Sequence, residues 1–307
     1  MNSRQPRDPL GRFGPTQKSE SDIVLSAPDI LSVPSTHAVL DHQIVVARNV
    51  LITALEALGS HRHAITLIGA QAVLEHTMDI DGVPMTVTSD GDAAISPALI
   101  DQDADIGQAL TAAGFVQDGD RPGIWSCPDS EGNPVGFDLL VPESVAGAGR
   151  RGARVHGQSK YALGRAAGLE LSLLDREERT IMSLDGSGRS TDTFIAGVAA
   201  LMCAKSYKLA ERLADLPAGR RNRVKPKDAG DVWRLMAVSN PESVRTIFES
   251  GERHDVMGAA IRQGHLYLLD LFSATAVGIE LAVRDLGDEV GEKRVRQVMV
   301  GWMQRFL

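Results

Sequence analysis

The chain predicts an α+β fold, with a small mixed sheet and flanking helices first and an all-helical C-terminal lobe after it. Three observations carry this reading. Short apolar runs separated by Gly, Pro and Asn turns occupy residues 65–174, a 3.6-residue apolar period takes over after Thr191, and the first 36 residues show neither pattern. A length of 307 residues with 43% apolar content is enough for a sizeable core and for two domains. The expected division is a tail over 1–36, an α/β domain over 37–190 and a helical lobe over 191–307.

Residues 1–36 are rich in Ser, Pro, Gly, Arg and Asp, so they bury too little to offset their ordering entropy. From Ala38, apolar residues recur at three- and four-residue intervals (Leu40, Ile44, Val45, Leu51, Leu55, Leu58) and predict a helix ending near Gly59. A strand over 65–68, a helix over 70–76, a strand over 85–88 and a helix over 97–113 follow. Further strands are expected at 115–116, 123–126, 135–141, 153–155 and 169–174, divided by turn signals such as Arg121-Pro122-Gly123 and Glu131-Gly132-Asn133-Pro134. Helices are expected over 193–213, 226–238, 241–250, 254–262, 266–286 and 290–306.

Two cysteines, Cys127 and Cys203, form no CxxC pair and give no support to a disulfide framework or zinc site. The N-terminus lacks a charged start followed by an apolar run, and the most apolar late stretch, 266–283, is broken by Asp270 and Glu280, so neither a signal peptide nor a membrane span is expected and a cytoplasmic location fits. Its leucines and Phe272 read as bundle core or as a partner surface. The formal net charge of −8 argues against wholesale coating by nucleic acid. Acidic residues nevertheless crowd 75–143, while basic ones crowd 150–165 and 205–234. A metal-binding half beside a phosphate-binding half is one reading, and segregated solvated faces are the other.

Gly69 follows a strand and opens a helix, a junction that lets backbone N–H groups approach a phosphate and that is also a common plain connection. Asp90 and Asp92 lie at i and i+2, so on an extended segment both carboxylates face one side and can bracket Mg²⁺; an Asp-Gly turn is the rival reading. Asp138 interrupts an apolar run, where a carboxylate is costly unless paired or metal-bound, or unless it faces solvent from an edge strand. Together the three form a candidate site for one or two Mg²⁺ ions.

The segments Gly69-Ala70, Thr88-Ser89-Asp90-Gly91-Asp92 and 135–140 resemble the pattern of DNA polymerase beta-type nucleotidyltransferases. Leu201-Met202-Cys203-Ala204-Lys205 and Lys225-Pro226-Lys227-Asp228-Ala229-Gly230-Asp231 narrow the resemblance to the abortive-infection AbiEii-like nucleotidyltransferases, which include toxins of toxin–antitoxin pairs. The resemblance spans roughly 64–235. It implies a nucleotidyltransferase-type sheet, with Asp90 and Asp92 as metal ligands, Asp138 as third ligand or base, Lys205 on the triphosphate and Asp228 orienting Lys205. It also implies nucleotide contacts from Gly69, Ala70, Thr88 and Ser89. Without the resemblance, Lys205 reads equally as a snorkelling helix lysine and Asp228 as a helix-dipole residue.

The chain departs from the pattern at Ala70 in place of a second glycine, at Thr86 in place of a basic residue, at Gly91 between the aspartates, and at Ala93 and Ala94 after them. The implied reaction moves a nucleotide from a nucleoside triphosphate to an acceptor. A tRNA-like RNA held by Arg150, Arg151, Arg154, Arg220, Arg221, Arg223 and Lys225 is the expected acceptor, with a cognate antitoxin as a further partner. A small molecule or protein acceptor, or a catalytically degenerate binding module, are the alternatives. His61-x-His63 reads as a surface pair, and Gly186 to Ser190 as a turn without the P-loop lysine.

Overall fold

A computed structural model describes residues 41–101, 105–220, 223–273 and 276–307. The expected tail over 1–36, the first residues of the opening helix and Arg221 lie outside the described residues. The fold is α+β, built on a mixed eight-stranded sheet with many of its helices in the C-terminal part.

Helix α1 (Asp41–Ala57) leads to β1 (Ile65–Ile68), α2 (Gly69–Thr77) and β2 (Asp90–Ile95). Helix α3 (Ile106–Ala112) precedes β3 (Val116–Gln117), β4 (Ile124–Pro128), β5 (Pro134–Pro142) and β6 (Gly164–Ala166). The sheet is completed by β7 (Arg176–Met182) and β8 (Ser190–Ala196). The helices that follow are α4 (Val198–Ala214), α5 (Pro226–Val238), α6 (Pro241–Gly251), α7 (Gly258–Phe272), α8 (Val277–Val290) and α9 (Glu292–Phe306). The strand order is β3-β4-β5-β2-β1-β8-β7, with β6 paired to β5. Strand β2 runs antiparallel to β1 and parallel to β5, and β8 runs parallel to β1.

Helix α1 covers one face of the sheet, packing on β2, β5 and β8. Its Leu51 is fully buried, and a Cβ added at Gly91 would fall 3.2 Å from Leu51 Cδ1 and 3.3 Å from Phe137. The space beside Gly91, between the two aspartates, is thus filled from α1 and β5. On the helical side, α5 packs against α4, α8 and α9, with Trp233 fully buried and Trp302 of α9 nearly so. Burial of each such aromatic contributes on the order of 2–3 kcal/mol. One continuous apolar cluster runs from Ala47 through the sheet to Phe306.

Several expected elements fall differently. The segment 85–88 is not a strand. Pro84 brings no N–H to a ladder, and the carbonyls of Pro84 and Met85 instead accept hydrogen bonds from the Arg234 guanidinium at 2.8 and 3.3 Å. The strand begins at Asp90. The helix over 97–113 is a 3-10 turn (Pro97–Leu99) and the later α3, whose Asp105 caps Gln108 N at 3.1 Å. Residues 153–155 make no strand beyond the neighbouring Gly152–Gly164 bridge. Residues 169–174 hold a 3-10 turn (Glu170–Leu173), because the buried Glu170 carboxylate accepts the N–H groups of Ser144 and Gly168.

The expected helix over 193–213 is two elements. Thr193 to Ala196 belong to β8, inside the sheet, and α4 starts only after Gly197, where the Asp175 carboxylate accepts Ala200 N at 3.0 Å. The expected domain boundary at 190/191 coincides with the start of β8. The helix placed over 254–262 begins at Gly258 and continues to Phe272, and the one placed over 266–286 is divided between α7 and α8. Leu268, Leu271 and Phe272 lie in the core, while Leu266 is exposed. Among the described residues no single helix is long and apolar enough to cross a membrane.

Candidate functional site

Strand parity and register bring the three carboxylates together. Asp90 and Asp92 sit two residues apart on β2, and Asp92 is the direct register partner of Asp138 on β5. All three line one cleft of about 580 Å³, on the face of the sheet opposite α1. Gly69 lies against this floor. Its φ of +67° is in the left-handed region, and a Cβ there would fall 2.0 Å from Asp92 Oδ2. Only glycine allows the α2 N-terminus to approach the carboxylate so closely.

The side chains around the floor fix its geometry. Thr88 is buried, and its hydroxyl donates to Asp90 Oδ1 at 2.8 Å, setting that carboxylate's rotamer. Burial and then the neighbouring Asp90 charge raise Asp92 above the usual carboxylate range, against the pull of Lys208, Lys205 and Lys227. Burial, followed by Asp92 and Asp90, pushes Asp138 up to about 7. The crowded floor therefore disfavours full ionisation of its carboxylates, which the lysines of the opposite wall only partly offset. Among the described residues, no three His, Cys, Asp or Glu side chains form a ready-made metal cage.

Helix α4 supplies the opposite wall. Lys205 Nζ donates to Asp228 Oδ1 at 3.1 Å and to Asp231 Oδ2 at 2.6 Å, both from α5. Burial alone would lower Lys205, but Asp231 and Asp228 outweigh it and hold the ammonium charged. Asp228 also binds Arg212 and lies 3.8 Å from Lys208 Nζ, and against the cost of burial these cations hold its carboxyl well below the usual range. Asp231, fully buried, additionally accepts the Thr86 hydroxyl at 2.5 Å and lies 3.4 Å from Arg234 Nη1. Thr86 thus ties the segment before β2 to α5.

Of the expected site residues, Gly69, Asp90, Asp92, Asp138 and Lys205 all line the cleft. Ala70, Thr88 and Asp228 are buried behind it and do not line it. Ser89 is a correction. It is exposed and borders a separate groove with His42 and Gln43 of α1, because the odd positions flanking the aspartates face the other side of the sheet. The structure adds Lys208, Arg212, Glu211, Glu143, Arg150, Arg165 and Arg223 to the cleft. Lys208 and Arg212 were legible as the i+3 and i+7 positions after Lys205, on the same helical face. Asp231, three residues after Asp228, carried the same signal.

His61 also departs from its expectation as a surface residue, since it is buried and neither ring nitrogen has a hydrogen-bond partner among the described residues. Gly186 and Gly188 turn the β7–β8 hairpin with positive φ. No protein-family model, curated protein or solved structure matches this chain.

Proposed function

We propose that the chain is a Mg²⁺-dependent nucleotidyltransferase with a nucleotidyltransferase-type sheet, transferring a nucleotide from a nucleoside triphosphate to a hydroxyl, with RNA as acceptor. The observation that carries this reading is the cleft itself. Three carboxylates share one sheet face, a glycine turn and helix N-terminus press against them, and a row of cations on α4 stands opposite.

The donor set fits the metal. Asp90 and Asp92 offer hard oxygens in a partly desolvated place where the opposite lysines only partly offset their charge, and Mg²⁺ takes one or two carboxylates and completes its shell with phosphates and water. When bound there, the ion would neutralise and polarise the phosphates. Thr88 holds Asp90 in position, and Gly69, having no side chain, lets the α2 N-terminus lie directly against the Asp92 carboxylate. Asp138, with its carboxyl raised to about 7, is matched to accept the proton of the attacking hydroxyl at neutral pH. The new bond joins that oxygen to the α-phosphorus. The bond from the α-phosphorus to the bridging oxygen breaks, and pyrophosphate leaves with the electron pair. Positioning and charge neutralisation supply most of the rate enhancement in such a transfer.

The acceptor reading rests on the rim. Arg150 and Arg223 are exposed where they line the cleft, and Arg151, Arg154, Arg220 and Lys225 are exposed in the segments beside them. A folded RNA held by its backbone suits such arginines, and the low aromatic content argues against a stacked single strand.

The test is incubation of the purified chain with each nucleoside triphosphate radiolabelled at the α-phosphorus, Mg²⁺ and total RNA, beside the Asp90→Ala, Asp92→Ala variant. Label in an RNA band with the wild type alone is the expected result. A folded wild-type chain that labels neither RNA, protein nor small molecules would overturn the reading.

A further inference from the structure

Lys205 is poorly placed to meet a triphosphate. Two of its three N–H donors are committed to Asp228 and Asp231, its side chain is only 6% exposed, and two carboxylate charges face its single positive one. The ammonium is neutralised before any ligand arrives. One and two turns further along the same face, Lys208 and Arg212 also line the cleft.

Their circumstances differ from those of Lys205. Lys208 is 48% exposed, and Asp228, 3.8 Å away, already serves Lys205 and Arg212. Arg212 contacts Asp228 through Nη1 and keeps a fifth of its side chain exposed. Lys205, Lys208 and Arg212 thus face two carboxylates, Asp228 and Asp231, and the positive charge left over lies on the members nearer solvent, Lys208 and Arg212.

We infer that Lys208 and Arg212 hold the β- and γ-phosphates of the nucleotide, and that Lys205 is a positioning residue clamped by Asp228 and Asp231 to fix α4 against α5. The assignment rests on the nucleotidyltransferase reading and names its polyphosphate subsite. The carboxylate floor then takes the α-phosphate end with its metal, while the outer end of the α4 face takes the terminal phosphates. A guanidinium also matches phosphate geometry with paired donors, which a lysine cannot do.

The subsite is tested by calorimetric binding of Mg²⁺ with a non-hydrolysable nucleoside triphosphate and, separately, with the matching monophosphate. The chains compared are wild type, Lys208→Gln, Arg212→Gln, Arg212→Lys and Lys205→Gln, each checked for native circular dichroism. In the expected result, Lys208→Gln and Arg212→Gln each weaken the triphosphate about tenfold or more, as loss of a charge-assisted phosphate contact does. The monophosphate is unaffected, and Arg212→Lys recovers part of the loss. Lys205→Gln lowers the melting temperature and weakens both ligands alike. If Lys208→Gln and Arg212→Gln keep the wild-type triphosphate-to-monophosphate ratio, or if Lys205→Gln alone abolishes it, the assignment fails while the functional reading survives. A wild-type chain that binds neither nucleotide in the presence of Mg²⁺ overturns both.

Discussion

Substituting Asp138→Asn should stabilise the chain in the absence of divalent cations, and the gain should grow with pH. In the folded protein the Asp138 carboxyl ionises only at about 7, raised from 3.8 by burial and then by Asp92 and Asp90. Below the lower value both folded and unfolded chains hold the proton. Between the two, the folded chain holds a proton that the unfolded one has lost, so stability falls as pH rises through this window. Above about 7 the whole penalty is in place. Three pH units correspond to an upper limit of about 4 kcal/mol, and because Asp138 keeps some contact with solvent, roughly 2 kcal/mol is the expected gain for the amide. For a chain of this length that raises the melting temperature by about 3 °C. Thermal melts of both chains in EDTA from pH 4 to 8.5 measure it, with the two curves converging toward the acid end of that range, near the ordinary carboxylate value of 3.8. Mg²⁺ should then stabilise the wild type and do so more at high pH. An amide variant that is less stable than wild type by the same margin at every pH would refute the account of a charge-stressed floor.

Gly69→Ala should abolish Mg²⁺-dependent nucleotide binding, because the new Cβ falls 2.0 Å from Asp92 Oδ2 at a φ of +67°; the strained backbone alone costs about 1–2 kcal/mol, and a melt with a binding titration reads both effects. Asp231→Ala removes the buried acceptor of Lys205 and Thr86, so denaturant unfolding should show a loss of about 3–5 kcal/mol. Ser89→Ala should leave nucleotide binding and transfer within twofold of wild type, since the side chain lies outside the cleft; a tenfold loss in either assay would contradict the strand parity assigned to β2.

The parts of the fold legible in the sequence are those whose signals are local. Strand β1 is a run of four buried residues, three of them apolar, and α5 announces its start with Pro226 at the first helical position and Asp228 in its first turn. Strand β7 (Arg-Glu-Glu-Arg-Thr-Ile-Met) gave no such signal, because an edge strand needs one buried side chain, Ile181, and fills the rest with charge. Strand β2 was displaced toward 85–88 for a related reason. Its Gly91, Ala93 and Ala94 are too small to register as apolar alternation, and the space at Gly91 is filled by Leu51 and Phe137 from elements distant in sequence. The charged residues of the site were legible by spacing. What spacing could not convey is competition, namely that Lys205 would be taken up by two carboxylates of α5 and leave its neighbours freer.

The same network explains why the helical part is integral to the site. The segment leading into β2 is laced to α5 by Thr86 on Asp231 and by Arg234 on the carbonyls of Pro84 and Met85. Arg234 Nη1 in turn lies 3.3 Å from Asp285 of α8, and Gly230 is obligatory there because a Cβ would fall 2.0 Å from that carboxylate. A chain of contacts therefore runs from α8 through α5 to the residues that aim Asp90. The carboxylates come from the sheet and the cations from α4, and α5 sets the distance between them. Loss of α8 would strip Arg234 of Asp285 and remove a main packing partner of α5, so the anchoring of the segment that leads to the carboxylate floor depends on helices that contribute no group to the cleft.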